Sequence, residues 1–136
     1  MRLAGICAVG LLCACATTLR PTIPELFYRT TLPNASDSAC AQLATALMSQ
    51  ANLARDASYE VSLGGSRCHE ILYAPDGNEV WLQLRTDELT IAVRNYPQPG
   101  DLELPNAGTQ SLADSATALV KDRYPDAVIQ RATEKE

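Results

Sequence analysis

His69 is the only histidine in the chain, and the cysteines are Cys7, Cys13, Cys15, Cys40 and Cys68. A single imidazole cannot supply a multi-histidine metal site, and a Ser-His-Asp triad built on it has no spare base. Cys68 and His69 are adjacent, but neighbours on a strand point to opposite faces, so a thiolate–imidazole nucleophile pair is poorly placed. Carboxylates are abundant, and pairs such as Glu60 with Glu70 or Asp87 with Glu88 can be written down. A glycosidase needs two held about 5 to 9.5 Å apart across a sugar cleft, and nothing in the spacing singles out such a pair. No G-x-S-x-G, P-loop or G-x-G-x-x-G stands in the sequence, and Gly64-Gly65 fits a turn. The expectation is a protein without catalytic residues, metal or cofactor.

The 136 residues carry a net charge of −5 and are 46% hydrophobic. That length allows one domain, the apolar fraction argues against disorder, and the acidic balance argues against binding a phosphate backbone. A nucleic-acid partner is therefore not expected.

The amino terminus reads as an address. Met1-Arg2 is a short positive segment, and Leu3 to Leu12 is an uncharged apolar run ending in small residues around Ala14 and Ala16. From Leu3 to Ala16 there are 14 uncharged residues, against the roughly 20 that a membrane-spanning helix requires. The run Leu12-Cys13-Ala14-Cys15 resembles the lipobox of bacterial lipoproteins, with an aliphatic residue three before the cysteine and a small one directly before it. The resemblance implies that residues 1–14 are removed as a signal peptide and that Cys15 carries a diacylglycerol on sulfur and an acyl chain on its new amino group. Residue 16 is Ala, not the Asp that in that family's sorting rule retains lipoproteins at the inner membrane, which implies an outer-membrane, periplasm-facing anchor. Ala14-Cys15-Ala16 also fits the small-x-small pattern of ordinary signal peptidase, which would cut after Ala16 and release a soluble periplasmic protein.

With Cys7 and Cys13 in the signal and Cys15 taking lipid, Cys40 and Cys68 remain as an even pair in an oxidising compartment. They are expected to form one disulfide.

Residues 15–36 read as a lipidated cysteine and a tether with Pro21, Pro24 and Pro33. Within it, 26–32 is rich in aromatic and β-branched types and could add an edge strand, since proline at both borders suits an edge. The domain spans 37–131. Cys40, Leu43, Ala44, Leu47, Met48 and Ala51 form one helical stripe, which Asn34, Ser36 or Asp37 could cap. Strands are expected over 59–63, 67–73, 79–85 and 89–95, with a turn at Pro75-Asp76-Gly77-Asn78 and another at Thr86-Asp87-Glu88. Val61, Leu63, Ile71, Tyr73, Val80, Leu82, Leu84, Leu89, Ile91 and Val93 are assigned to the core face. A second helix is expected to open at Ser111, with Leu112, Ala116, Leu119, Val120 and Arg123 on one side, and to stop at Pro125. A short strand over 127–130 and a frayed tail over 132–136 complete the chain.

The resulting architecture is α+β: two layers, an antiparallel sheet of four strands, or five with the edge strand, and two helices packed on one face. Trp81, Gln83 and Arg85 then point away from the helices, joined by Leu72, Thr90, Ala92 and Arg94. Tryptophan and arginine dominate interface hot spots, so Leu72, Trp81, Gln83, Arg85 and Arg94 are the candidate binding surface. The function expected is a non-enzymatic, protein-binding accessory or assembly module of an envelope complex, held to the membrane by lipid on Cys15. A small-ligand or lipid carrier with an apolar pocket between helices and sheet is the alternative, and an enzyme using His69 with a carboxylate a third.

Overall fold

The computed structural model describes residues 25–55, 65–95 and 107–132. Six strands form one open antiparallel sheet: β1 (Glu25–Thr31), β2 (Ala54–Arg55), β3 (Cys68–Tyr73), β4 (Asn78–Arg85), β5 (Glu88–Asn95) and β6 (Gln130–Ala132), in the spatial order β2-β3-β4-β5-β1-β6. Two helices, α1 (Ala39–Gln50) and α2 (Ala107–Arg123), lie against it. The sheet is wider than the four or five strands expected. β2 adds a strand beside β3, β6 adds one beyond β1, and the expected strand over 59–63, with Val61 and Leu63, lies outside the described residues.

One face of the sheet packs on the helices. Leu26, Leu72, Val80, Leu82, Leu84, Leu89, Ile91 and Val93 form a continuous cluster with Cys40, Leu43, Ala44 and Leu47 of α1 and Leu112, Ala113, Ala116, Leu119 and Val120 of α2. The register explains the grouping, since Leu26, Val93, Val80 and Leu72 stand side by side across four strands. Period-two alternation in β4 and β5 set this face correctly. In β3 it did not: Ile71 pairs with Trp81 and Tyr73 with Glu79 on the opposite face, while Leu72 is the inward residue. The strand reads Cys-His-Glu-Ile-Leu-Tyr, three consecutive apolar residues with no alternation to fix the register.

β1 is not an edge. Its one side pairs with β5 through all seven residues and its other with β6 through Phe27, Tyr28 and Arg29. β6 starts later than expected because the chain after α2 first makes a turn, in which Ala127 N–H donates to the Tyr124 carbonyl at 2.9 Å.

The turns follow their residues. Ala74 carbonyl accepts from Gly77 N–H at 3.2 Å and Ala74 N–H donates to the Asn78 carbonyl at 2.8 Å, with Gly77 at φ 85°. Pro75 presets the first turn residue and Gly77 takes the left-handed position. At the other hairpin β4 ends at Arg85 and β5 begins at Glu88, so the turn is the pair Thr86-Asp87.

Ser38, at the N-cap position before α1, makes no side-chain cap bond. Asp37 is not available for capping, because its carboxylate accepts from Arg67 Nε at 2.9 Å. Arg67 also donates to the carbonyls of Thr86 and Ala35, both at 2.7 Å, tying the segment before α1 to the β4–β5 turn. α2 begins at Ala107, so Ser111 lies inside it, and Arg123 at its end is exposed. Tyr124 follows and Pro125 stops the helix as expected.

Candidate binding face

The sheet face turned away from the helices is built in rows by the strand register. One row runs Tyr73, Glu79, Arg94, Glu25; the next Ile71, Trp81, Ala92, Phe27; the third His69, Gln83, Thr90, Arg29. Trp81, Gln83, Arg85 and Arg94 therefore do share one surface. Leu72 does not belong with them: it is fully buried under α1, paired with Val80 on the helix side. One residue of slip in β3 exchanges it for Ile71.

Trp81 is the centre of this face and is held on three sides. Its indole N–H donates to Glu79 Oε1 at 2.9 Å. The Arg94 guanidinium carbon sits 4.6 Å from the centre of its ring, within the range of a cation–π contact. Its cross-strand neighbours, Ile71 and Ala92, are buried. Arg94 in turn donates through Nε to Glu25 on β1. Two buried carboxylates, Glu79 and Glu25, thus flank one arginine on adjacent strands. Glu25 is met by the Arg94 cation and Glu79 by the Trp81 indole donor, bonds that offset part of the cost of desolvating each carboxylate.

Glu79 and Glu25 were not among the candidates read from the sequence. Glu79 stands two residues before Trp81 in β4, and the period of two places them together. Glu25 could not be found that way, because its contact with Arg94 depends on β1 lying next to β5.

Lower on the face, Gln83 Nε2 donates to Ser66 Oγ at 2.6 Å, and Arg85 is exposed beside the hairpin turn. His69, opposite Gln83, is on this face, whereas Cys68 turns inward and bonds Cys40 with an S–S distance of 2.08 Å and Cα atoms 5.8 Å apart. The disulfide fixes the first turn of α1 to the start of β3. Cys15 lies outside the described residues.

The arrangement offers an aromatic ring, a guanidinium and an amide on a rigid surface, which suits recognition of a protein surface. Glu70 is occupied by Arg55 at 3.0 Å and Glu88 faces Arg29 at 4.0 Å. Among the described residues no group of three or more His, Cys, Asp or Glu is placed to hold a metal ion. No helix among them is long and apolar enough to cross a membrane. Comparison with known protein families and with characterised proteins finds no match for the chain.

Proposed function

We propose that the chain is a lipoprotein anchored in the outer membrane through Cys15 that binds another envelope protein as a non-enzymatic accessory or assembly module. The observation that carries this reading is Trp81 stacked beside Arg94 on the sheet face opposite the helices, with Gln83 and Arg85 on the same surface. Trp and Arg are the residue types that anchor protein interfaces, and here the pair is ordered before any partner arrives, which lowers the entropy cost of binding. The disulfide and the Arg67 bonds stiffen the domain that presents them.

The lipobox resemblance supplies the anchor. β1 begins at Glu25, ten residues after Cys15. Fully extended, that segment spans at most about 35 Å, so the domain would work close to the membrane surface.

The test is crosslinking in cells and recovery of the membrane-anchored protein, beside Trp81→Ala and Cys15→Ser variants, with mass spectrometry of the recovered chains and of the amino terminus. The expected result is an acylated Cys15 and a stoichiometric envelope partner that is lost with Trp81→Ala. An unmodified terminus beginning after residue 16 would remove the anchor from the proposal. Full recovery of the partner by a folded Trp81→Ala, Arg85→Ala double variant would remove the surface.

A further inference from the structure

Among the described residues the sheet ends at β6, where a strand edge with no further described strand beside it meets a lined groove. Leu32 N–H donates to the Asp87 carbonyl at 2.6 Å, which continues the β1–β5 ladder and fixes its parity. Backbone groups alternate sides along a strand, so the even residues of β1 bond to β5 and the odd ones, Phe27 and Arg29, bond to β6. Their partners Ala132 and Gln130 therefore face β1. The N–H and carbonyl of Arg131 between them point outward, away from the sheet.

Beneath this edge runs a groove of about 520 Å³ between β6 and α2. Thr117, Ala118 and Lys121 line it from α2, and Tyr28, Ile129 and Arg131 from the sheet side. Thr117 uses its hydroxyl on the Ala113 carbonyl at 2.9 Å, and Ala118 is exposed with a side chain of one methyl. At its lip stands Val128, 70% exposed and the one large hydrophobic residue in that state among the described residues. Lys121 and Arg131 are exposed on its rim, and neither makes an ion pair with another described residue. The acidic residue of the groove, Asp114, already accepts from Gln110 Nε2 at 2.8 Å.

We propose that the β6 edge and the α2 groove bind an extended, acidic segment of another protein, which adds a strand to β6 and places one large apolar side chain against Ala118 and Val128. A strand laid on the edge would exchange main-chain hydrogen bonds with Arg131. The side chain it sets opposite Arg131 falls on the helix side of the sheet, where the groove lies. Main-chain bonds supply register, the pocket selects the apolar residue, and Lys121 and Arg131 select acidic neighbours. Edge strands are normally shielded by charge or by covering elements, and here the groove carries two cations, Lys121 and Arg131, against the one carboxylate of Asp114, while the lip is apolar. The site stands on the sheet edge alone and depends neither on the lipid anchor nor on the Trp81 face.

The test uses the full chain, purified from whole cells in mild detergent, as bait for a displayed library of random peptides of about nine residues, a full strand length. The expected selection is peptides with one Phe, Leu, Ile or Trp flanked by Asp or Glu. A selected peptide, synthesised, should slow amide hydrogen exchange at Arg131 and along Thr117 to Lys121. Its Kd should rise at least about tenfold in Ala118→Glu and in Lys121→Glu. Both positions are exposed on α2, so neither substitution enters the core, and Trp81→Ala should leave the Kd unchanged. Selection of peptides without the apolar-acidic pattern, exchange protection confined to the Trp81 face, or a domain that dimerises through β6 and ignores every peptide would overturn the proposal.

Discussion

Thr109, in the first turn of α2, donates its hydroxyl to Oδ1 of Asn78 at 2.7 Å, across 31 residues of sequence. Asn95 Nδ2 donates to the same oxygen at 2.9 Å, and Asn78 Nδ2 donates to Asp76 Oδ2 at 2.8 Å. Asn78 opens β4, Asn95 closes β5, and all three side chains are buried. One amide thus ties the turn before β4, the end of β5 and the start of α2 into a single polar joint.

Replacing Asn78 by Ala leaves two buried donors without their acceptor, each costing about 1–3 kcal/mol, whereas Thr109→Val removes one donor and leaves Asn78 Oδ1 satisfied by Asn95. Asn78→Ala should lose roughly 3 kcal/mol and Thr109→Val about 1 kcal/mol. The double variant should lose less than the sum. Urea unfolding of the three variants checks this, and equal losses in the two single variants would contradict the shared acceptor.

The disulfide closes a loop between positions 28 apart and joins α1 to β3. Chain entropy assigns such a closure about 3 to 4 kcal/mol. The Cys40→Ala, Cys68→Ala variant should unfold at lower urea by that amount, and reductant should destabilise the parent to a similar level while leaving the variant unmoved. Equal stability with and without reductant in the parent would show that the loop is already confined by other contacts.

How far these elements were legible depends on whether their cause was local. The stripe Cys40, Leu43, Ala44 and Leu47 and the alternation of Val80, Leu82 and Leu84 are local, and each is buried as its spacing predicts. The core side of β3 was not legible, because Glu70, an inward position, is paired with Arg55 from β2 and so carries charge where alternation predicts an apolar residue. The start of α2 at Ala107 was missed for the same kind of reason. Its first turn is held by Asn78, a tertiary bond that no capping pattern encodes. On the sheet face away from the helices, Trp81, Gln83, Arg85 and Arg94 came from strand period alone. Glu25 required knowing that β1 sits beside β5, and Leu72 was misplaced by one step of register.

At the Thr86-Asp87 turn, Thr86 has φ 48°, a left-handed conformation that a β-branched residue adopts at a cost. Arg67 holds its carbonyl at 2.7 Å. Thr86→Asn keeps that carbonyl and suits the backbone, so it should stabilise the protein by about 1 kcal/mol. Arg67→Ala removes both carbonyl bonds and should cost about 1–2 kcal/mol, the side chain being about one-third exposed. Because two of its partners are carbonyls, that loss should change little between low and high salt. Arg67→Lys should recover only a fraction, since a point charge cannot span Ala35, Thr86 and Asp37 at once. Thermal melts of the three variants at two salt concentrations decide it.

The Trp81 site couples three strands through one arginine, and a mutant cycle measures that coupling. Trp81→Phe keeps an aromatic ring beside Arg94 but withdraws the indole donor from the buried Glu79 carboxylate, a loss of about 1–2 kcal/mol. Arg94→Leu withdraws the cation from Glu25, whose side chain is only 5% exposed, and should cost more, about 2–3 kcal/mol. Adding Glu25→Gln to Arg94→Leu removes the stranded charge and should restore part of that loss, a positive coupling between two contacting residues. Chemical unfolding of the single and double variants measures it. Independent losses that simply add would mean that Arg94 does not balance the Glu25 charge.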